Sequence, residues 1–359
     1  MSKHYVQQAV DLLSKGLDPF LESRMKPVLG SLEWTSILQE LDKMRGRDDW
    51  VYSRKDPSLQ LRMLTERLGS LGYPFDQGDK NRTLSSYGSV LRIVRNRLSH
   101  GGEFEVFDAL HAVDTVRTVL AHIGDDERAV QAADLRTSLI AELLTADEGT
   151  TPPTKEPEPD IPGEPVQKHE EPAGSPDEPE ALYGAVEWEP WTTVVVGEQE
   201  DLDSMRTNRV KENVRSLVED IAEAEGPVHQ DRVARLVGMG FGFSRLASAR
   251  VKRILAQIPK ASVVVDADGF VWAEGIDRDQ WLIHRTSSEA QRPFEQISPV
   301  EIANAAMSVL KDDPSLGEPE LRRRVLAQFG RKKGSKAATA QLQRGMFHAK
   351  SSGRLLVNS

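Results

Sequence analysis

Residues 87–100 read YGSVLRIVRNRLSH, and this stretch decides the fold of the N-terminal half of the chain. Its apolar residues recur every three or four positions, which is the spacing of one face of an amphipathic helix. These residues are Tyr87, Val90, Leu91, Val94 and Leu98. Glycines at 101 and 102 favour an end to the helix directly after the stretch. The same periodicity recurs from residue 5 to 146 without a convincing strand pattern, so we predict an all-α bundle over residues 1–146.

Two dipeptides in this half are typical of helix starts: Asp18-Pro19 and Asp56-Pro57. An aspartate can accept a hydrogen bond from the first turn of a helix, and proline fits the first helical position. We therefore expect one helix to begin at residue 19 and another at residue 57.

Charge is divided unevenly along the 359 residues, a length that allows two or three domains. Residues 1–146 hold 19 basic and 21 acidic residues, residues 147–204 hold 2 and 17, and residues 205–359 hold 25 and 18. The last part is therefore basic, which permits an acidic or nucleic-acid partner. Residues 147–181 are rich in proline and glutamate and have too few apolar residues to form a core. We expect them to be a disordered acidic linker.

Several classes of protein are excluded by composition. The chain has no cysteine, which removes disulfide scaffolds, thiolate zinc sites and cysteine nucleophiles. No apolar run approaches the roughly 18 residues that a bilayer crossing needs, and the N-terminus does not resemble a signal peptide. Motifs for phosphate loops, serine hydrolases and zinc proteases are also missing. We expect a cytoplasmic protein that has no membrane segment, no metal and no cofactor.

The pattern over residues 182–285 predicts a winged-helix-like domain. Helices are indicated over 207–225, over 229–237 and from a cap at Ser244 to about 257, followed by a hairpin over 263–272. In such a domain the third helix can enter a major groove of DNA. Its candidate nucleic-acid contacts are Arg245, Arg250, Lys252 and Arg253. Docking to a protein is the alternative, because winged helices serve both purposes.

Residues 286–359 predict a further helical unit of the helix-turn-helix type. A capping box at 298–301 begins the first helix, and two more are indicated over 318–329 and 336–350. A second basic patch lies between the last two helices: Arg331, Lys332 and Lys333. These three residues are candidate phosphate contacts.

The end of the helix over 87–100 carries the side chains with the clearest chemistry: Arg95, Asn96 and His100. Histidine can exchange a proton with the 2′-hydroxyl or the leaving oxygen of RNA near neutral pH, and arginine can hold a phosphate through two hydrogen bonds. With a polar amide beside them, these groups form a plausible set for cutting RNA without a metal. The alternative is structural: an arginine on a solvated face and a histidine favoured by the helix dipole.

This hexad, R-N-x-x-S-H at the end of a bundle helix, resembles the R-x(4)-H motif of the HEPN superfamily. Residues 16–20, GLDPF, and the helix start at 56–59, DPSL, resemble the Swt-type branch of that superfamily. The resemblance covers roughly residues 5–145. It implies a helical domain that commonly forms a homodimer and brings two motifs together in a cleft that cuts RNA.

Carried over to this chain, the resemblance implies Arg95 and His100 as the catalytic pair and Asn96 as the residue that assists them. Some HEPN domains bind only nucleic acid or proteins. Membership of the superfamily therefore leaves cleavage and binding both open.

The C-terminal part has a resemblance of its own. Residues 224–229, AEGPVH, and 243–245, FSR, resemble an uncharacterised domain at the C-terminus of large bacterial helicase-like and restriction-like proteins. The similarity spans about residues 182–357. That family has no known activity, so it does not imply what the domain binds.

Two hypotheses of function follow. The first is a metal-independent HEPN endoribonuclease whose C-terminal module recruits nucleic acid or a partner, as in defence or toxin-type systems. The second is a non-catalytic dimeric adaptor, or a nucleic-acid-binding accessory subunit of a larger helicase or nuclease complex. The expected partners are RNA, DNA as a second nucleic acid, a second copy of the chain through the bundle, and a helicase, methyltransferase or antitoxin.

Overall fold

The computed structural model describes residues 2–47, 51–147, 184–205, 207–288, 290–332 and 334–354. Over these residues the protein is mainly helical, which confirms the predicted fold class at that level. The predicted acidic linker lies outside the described residues, apart from its first residue, Asp147. Among the helices of the described part, none is both long and apolar enough to cross a bilayer.

The N-terminal bundle comprises residues 2–47 and 51–147. Its helices are α1 (Lys3–Leu29), α2 (Thr35–Met44), α3 (Pro57–Thr65), α4 (Thr83–Ser99), α5 (Val106–His122) and α6 (Asp126–Asp147). The apolar faces that the periodicity predicts turn towards one shared core, because burying them removes apolar surface from water. Members of that core include Leu13, Trp34, Leu64, Leu91 and Val116.

The predicted start of α3 is confirmed. The Asp56 carboxylate accepts a hydrogen bond from the backbone N–H of Ser58 at 2.9 Å, and Pro57 is the first helical residue. The cap and the proline together satisfy the first turn, so this helix begins where its local sequence predicts.

The predicted start at Pro19 is wrong, because α1 continues through this residue to Leu29. Asp18 has a tertiary role instead of a capping role. Its carboxylate accepts hydrogen bonds from Trp34 Nε1 at 3.1 Å and from Arg54 Nε at 2.9 Å. Asp18 therefore ties α1 to the two segments that flank α2.

The C-terminal region comprises the described residues from 184 to 354. Its strands are β1 (Gly184–Glu187), β2 (Val228–His229), β3 (Val263–Val265), β4 (Phe270–Ala273) and β5 (Ile283–Thr286). Its helices are α7 (Gln199–Ser204), α8 (Asn208–Glu225), α9 (Gln230–Met239), α10 (Ser248–Leu255), α11 (Pro299–Asp312), α12 (Glu318–Gln328) and α13 (Lys336–Ser351). Helix α10 begins at Ser248, so the predicted cap at Ser244 is wrong.

Two small sheets organise this region. Strands β2, β4 and β3 form an antiparallel sheet in that order, and the β3–β4 hairpin lies where the sequence predicts it, with Val264 opposite Trp272. Strand β1 pairs with β5 in parallel, with Gly184 opposite Ile283. The second pairing brings the start of the region against the segment that leads into α11.

A buried ion cluster joins β5 to α11. Ser298 caps α11 through the backbone N–H of Val300, as predicted, but Glu301 turns inward instead of completing a capping box. Its carboxylate accepts hydrogen bonds from Arg285 at 2.9 Å and from Arg292 at 2.8 Å. Burial alone would raise the pKa of Glu301, and the two guanidinium groups hold it well below its usual range.

Helix α4 is buried on two sides. Leu91 lies in the core of the bundle, whereas Ile93 belongs to the apolar core of the C-terminal region, together with Val214 and Leu217 of α8. We call the contact between the two halves along α4 and α8 the seam. The helix that carries the predicted catalytic residues is therefore also the helix that joins the halves.

Candidate functional site

The candidate residues lie where α4 ends. His100 follows the last helical residue, and its backbone N–H donates to the carbonyl of Asn96 at 3.2 Å. Gly101 comes next with φ +74°, a left-handed conformation that glycine adopts without strain. The chain turns away directly after His100, which leaves the imidazole side chain 51% exposed.

Arg95 and Asn96 lie on the last turns of the same helix. The Arg95 side chain is partly exposed, and its guanidinium is 3.9 Å from the carboxylate of Asp56 at the start of α3. Asn96 is partly buried, and its side chain makes no hydrogen bond to the part of the chain that the structure describes. The amide is therefore available beside the other two groups.

A carboxylate from the other half of the molecule meets this site. Nε2 of His100 lies 3.0 Å from one carboxylate oxygen of Glu219 in α8 and 3.1 Å from the other. Burial raises the pKa of Glu219, and hydrogen bonds from Ser262 and His100 together with the charge of Arg95 offset part of that rise. One anion therefore interacts with both predicted catalytic side chains.

Arg97, which the sequence motif did not single out, has a structural role. It is 5% exposed, donates hydrogen bonds at 3.1 Å to the carboxylate of Asp108, and donates one at 2.5 Å to the carbonyl of Glu103. Its guanidinium also lies 4.3 Å from the ring centre of Phe104. The available signal was its position three residues after Val94, on the buried face of the helix. Arg97 holds the loop from α4 to α5 in place.

Further along the seam, arginines of the bundle meet carboxylates of α8. Arg92 Nε lies 2.7 Å from Asp220, and Arg47 and Arg62 lie 3.1 and 3.4 Å from the same oxygen of Glu223. These partners are far apart in sequence, so no local pattern could predict them.

The two carboxylates differ in how well the seam compensates their charge. Burial raises the pKa of Asp220, and the charge of Arg92 offsets only part of that rise. Burial would also raise the pKa of Glu223, but the charges of Arg62, Arg47 and Arg92 hold it well below its usual range. Glu223 is therefore a carboxylate that the seam strongly favours in its charged form.

The seam is not packed throughout. A cavity of about 430 Å³ lies between the halves. Arg45 and Tyr73 line it on the side of the bundle, and Trp191 and Trp281 line it on the other side. Within the described residues, no group of three or more histidine, aspartate or glutamate side chains is arranged to hold a metal ion.

The predicted nucleic-acid contacts on α10 and just before it divide into two pairs. Arg250 donates two hydrogen bonds to the carboxylate of Asp203, at 2.8 and 2.9 Å, and Arg253 donates to the Asp203 carbonyl at 2.9 Å. Arg245 and Lys252 are exposed at the surface. Two of the four cations thus hold the end of α7. The other two, Arg245 before α10 and Lys252 on it, face solvent.

The second predicted basic patch is also divided. Arg331 is 7% exposed, lies 3.5 Å from the carboxylate of Glu295 and is close to the ring of Phe294. Lys332 is exposed, and Lys333 lies outside the described residues. The structure places Arg331 in an internal contact and Lys332 at the surface.

Comparison with known proteins gives two family matches. No curated protein and no solved structure matches the chain significantly. Residues 208–253, from α8 to α10, match weakly to a family described as a protein of unknown function (DUF3320). Residues 8–124 match the family described as Swt1-like HEPN, which confirms the resemblance seen in the sequence of this half. The N-terminal bundle therefore contains an Swt1-like HEPN domain.

Proposed function

We propose that the HEPN bundle is a metal-independent endoribonuclease whose site is formed by Arg95, Asn96 and His100. The observation that carries this proposal is the position of Glu219, whose carboxylate contacts His100 at 3.0 Å and interacts with the charge of Arg95. A phosphate is an anion that the same two groups can hold, because both donate charge-assisted hydrogen bonds.

The proposed reaction uses the 2′-hydroxyl of RNA as its own nucleophile. The 2′-oxygen attacks phosphorus and loses its proton, while the bond from phosphorus to the 5′-oxygen breaks and that oxygen gains a proton. His100 carries out one of these proton transfers, and His100 of a second copy in the homodimer carries out the other. Arg95 stabilises the negative charge that grows on the phosphate, and Asn96 orients it. The products are a 2′,3′-cyclic phosphate and a 5′-hydroxyl.

The C-terminal region is proposed to recruit nucleic acid or a protein partner. Its order of helix, short strand, two helices and hairpin from α8 to β4 supports a winged-helix-like fold, and the exposed Arg245 just before α10 and Lys252 on it support contact with a polyanion. A role in a defence or toxin-type system, with a helicase, methyltransferase or antitoxin as partner, belongs to the same proposal.

A second function has its own support. Because Glu219 of α8 engages Nε2 of His100, the bundle can serve as a dimeric adaptor or accessory subunit whose HEPN domain mainly binds the other half and partner proteins. Cleavage separates the two functions, since an adaptor has none.

The nuclease proposal predicts that the purified chain cuts single-stranded RNA in the presence of EDTA and leaves 2′,3′-cyclic phosphate ends. His100→Ala should lower the rate by at least about 10²-fold, the usual contribution of a positioned acid or base. Arg95→Ala should also lower it, because the growing charge on the phosphate loses its partner. Gel and mass analysis of the fragments measure both effects.

The matched control is His111→Ala, which removes an exposed histidine on α5 and should leave the rate unchanged. Full cleavage by the His100→Ala variant contradicts the proposed site. Lack of cleavage of every RNA tested favours the adaptor.

A further inference from the structure

We propose that α8 is a built-in competitor of RNA: its carboxylates pair with cations of the bundle and with Nε2 of His100, so that a phosphate of RNA reaches this nitrogen only when the seam opens. This inference rests on the proposed function, because it concerns the regulation of the same site. The partner that opens the seam is a single-stranded polyanion.

Glu219 of α8 lies directly against the imidazole of His100. It belongs to a different half of the molecule and lies 119 positions from His100, yet both of its carboxylate oxygens lie within about 3 Å of the imidazole nitrogen. Its side chain is 10% exposed, so the contact shields the donor nitrogen on that side. A phosphate cannot occupy this position while α8 is in place.

Charge is separated along the middle of the seam, whereas near the start of α8 the polarity is reversed, with Arg209 lying 3.5 Å from the carboxylate of Glu105 in the bundle. The bundle supplies cations such as Arg47 and Arg92, and α8 supplies Asp220 and Glu223 as their partners. RNA carries one negative charge per nucleotide, so phosphates can replace these carboxylates without leaving the arginines unpaired. The displaced carboxylates return to water, which removes the penalty that burial places on Asp220. The exchange of one anion for another makes a polyanion the fitting competitor.

The apolar part of the seam is small beside the cores that it separates. Among the described residues of the bundle, Ile93 and the partly buried Val90 join the core of the C-terminal region. Each half keeps a separate core when they part, and the cavity on the seam shows that packing there is already incomplete.

Thiol labelling tests the proposal directly, because the chain has no cysteine of its own. Ile93→Cys places one thiol in the seam, where it is protected while α8 is docked. Saturating single-stranded RNA with 2′-O-methyl groups throughout, which has no nucleophile and cannot be cut, should speed its labelling about tenfold. Leu91→Cys is the matched control, since this residue of α4 lies in the core of the bundle and should stay protected.

A charge variant tests the same idea without RNA. Glu223→Gln removes the carboxylate that pairs with Arg47 and Arg62, so labelling at position 93 and the rate of RNA cleavage should both rise about tenfold. Glu127→Gln, an exposed carboxylate on α6, should change neither.

The outcomes separate this inference from the nuclease proposal. Faster labelling at position 93 with RNA but no cleavage by any variant supports the competition and contradicts the nuclease. RNA cleavage together with a labelling rate at position 93 that neither RNA nor Glu223→Gln changes overturns the competition. That result is still consistent with the nuclease proposal. Equal acceleration at positions 91 and 93 also overturns it, because that result means unfolding of α4 and not opening of the seam.

Discussion

Glu219 is a buried carboxylate whose raised pKa gives the site a dependence on pH. Burial favours its neutral form, and the groups that face it are Ser262, His100 and Arg95. As the pH falls through the raised pKa, the carboxylate gains a proton and loses the charge that competes with a phosphate. We expect the affinity of the full chain for 2′-O-methyl RNA, measured by fluorescence anisotropy, to rise as the pH is lowered from neutral.

Glu219→Gln provides the control for this prediction. Glutamine cannot gain a proton in this range, so any change in binding that other groups cause as the pH falls remains in the variant. The wild type should show the steeper rise because only it also neutralises Glu219. Parallel curves for the two proteins would contradict a role for this carboxylate at the site.

The end of helix α4 depends on two arginines that have different tasks. Arg97 is buried and makes hydrogen bonds to Asp108 and to the backbone of Glu103, so Arg97→Ala removes the charged donor that holds the loop from α4 to α5. The free energy of unfolding, measured in urea, should fall by about 1.5–3 kcal/mol, because these hydrogen bonds involve a charged donor. Arg95→Ala, at a partly exposed position of the same helix, should change it by less than about 0.5 kcal/mol.

These two variants should also separate stability from chemistry. Arg95→Ala should lower cleavage although the fold persists, whereas Arg97→Ala lowers stability first. If Arg95→Ala proved the more destabilising of the two, the assignment of Arg97 to the loop and Arg95 to the site would be wrong.

The whole molecule has a net charge of −10, whereas residues 205–359 hold 25 basic and 18 acidic residues. With Arg250 and Arg253 engaged at the end of α7, the exposed Arg245 and Lys252 carry the proposed nucleic-acid contact of α10. Replacing both by alanine should reduce the slope of log affinity against log salt for duplex DNA by about 2, because each phosphate contact contributes about 0.9. Filter binding of the full chain at several salt concentrations measures the slope.

Arg117→Ala, at an exposed position on α5, is the control and should leave the slope as it is. If the double variant, Arg245→Ala with Lys252→Ala, binds DNA with an unchanged slope, these two residues do not contact the DNA groove. Protein docking by the C-terminal region then becomes the better account.

Local interactions explain what could be predicted from the sequence. The helical periods, the cap at Asp56, the hairpin from β3 to β4 and the motif from Arg95 to His100 involve residues within a few positions of one another. Their geometry is set by the period of the backbone and by the first turn of a helix, so the sequence by itself determined them. The same rules failed at Asp18-Pro19, where hydrogen bonds from Trp34 and Arg54 replaced the cap.

Contacts between distant segments were decided only by the tertiary structure. Sequence alone marked His100 as a candidate, but docking of α8 determined that Glu219 faces it and that Glu223 meets the arginines of the bundle. Likewise, the position of α7 determined that Arg250 binds Asp203 instead of facing solvent. The pairing of charges across the seam depends on how the surfaces of the two folded halves pack together. The spacing of residues within a single helix does not determine that packing.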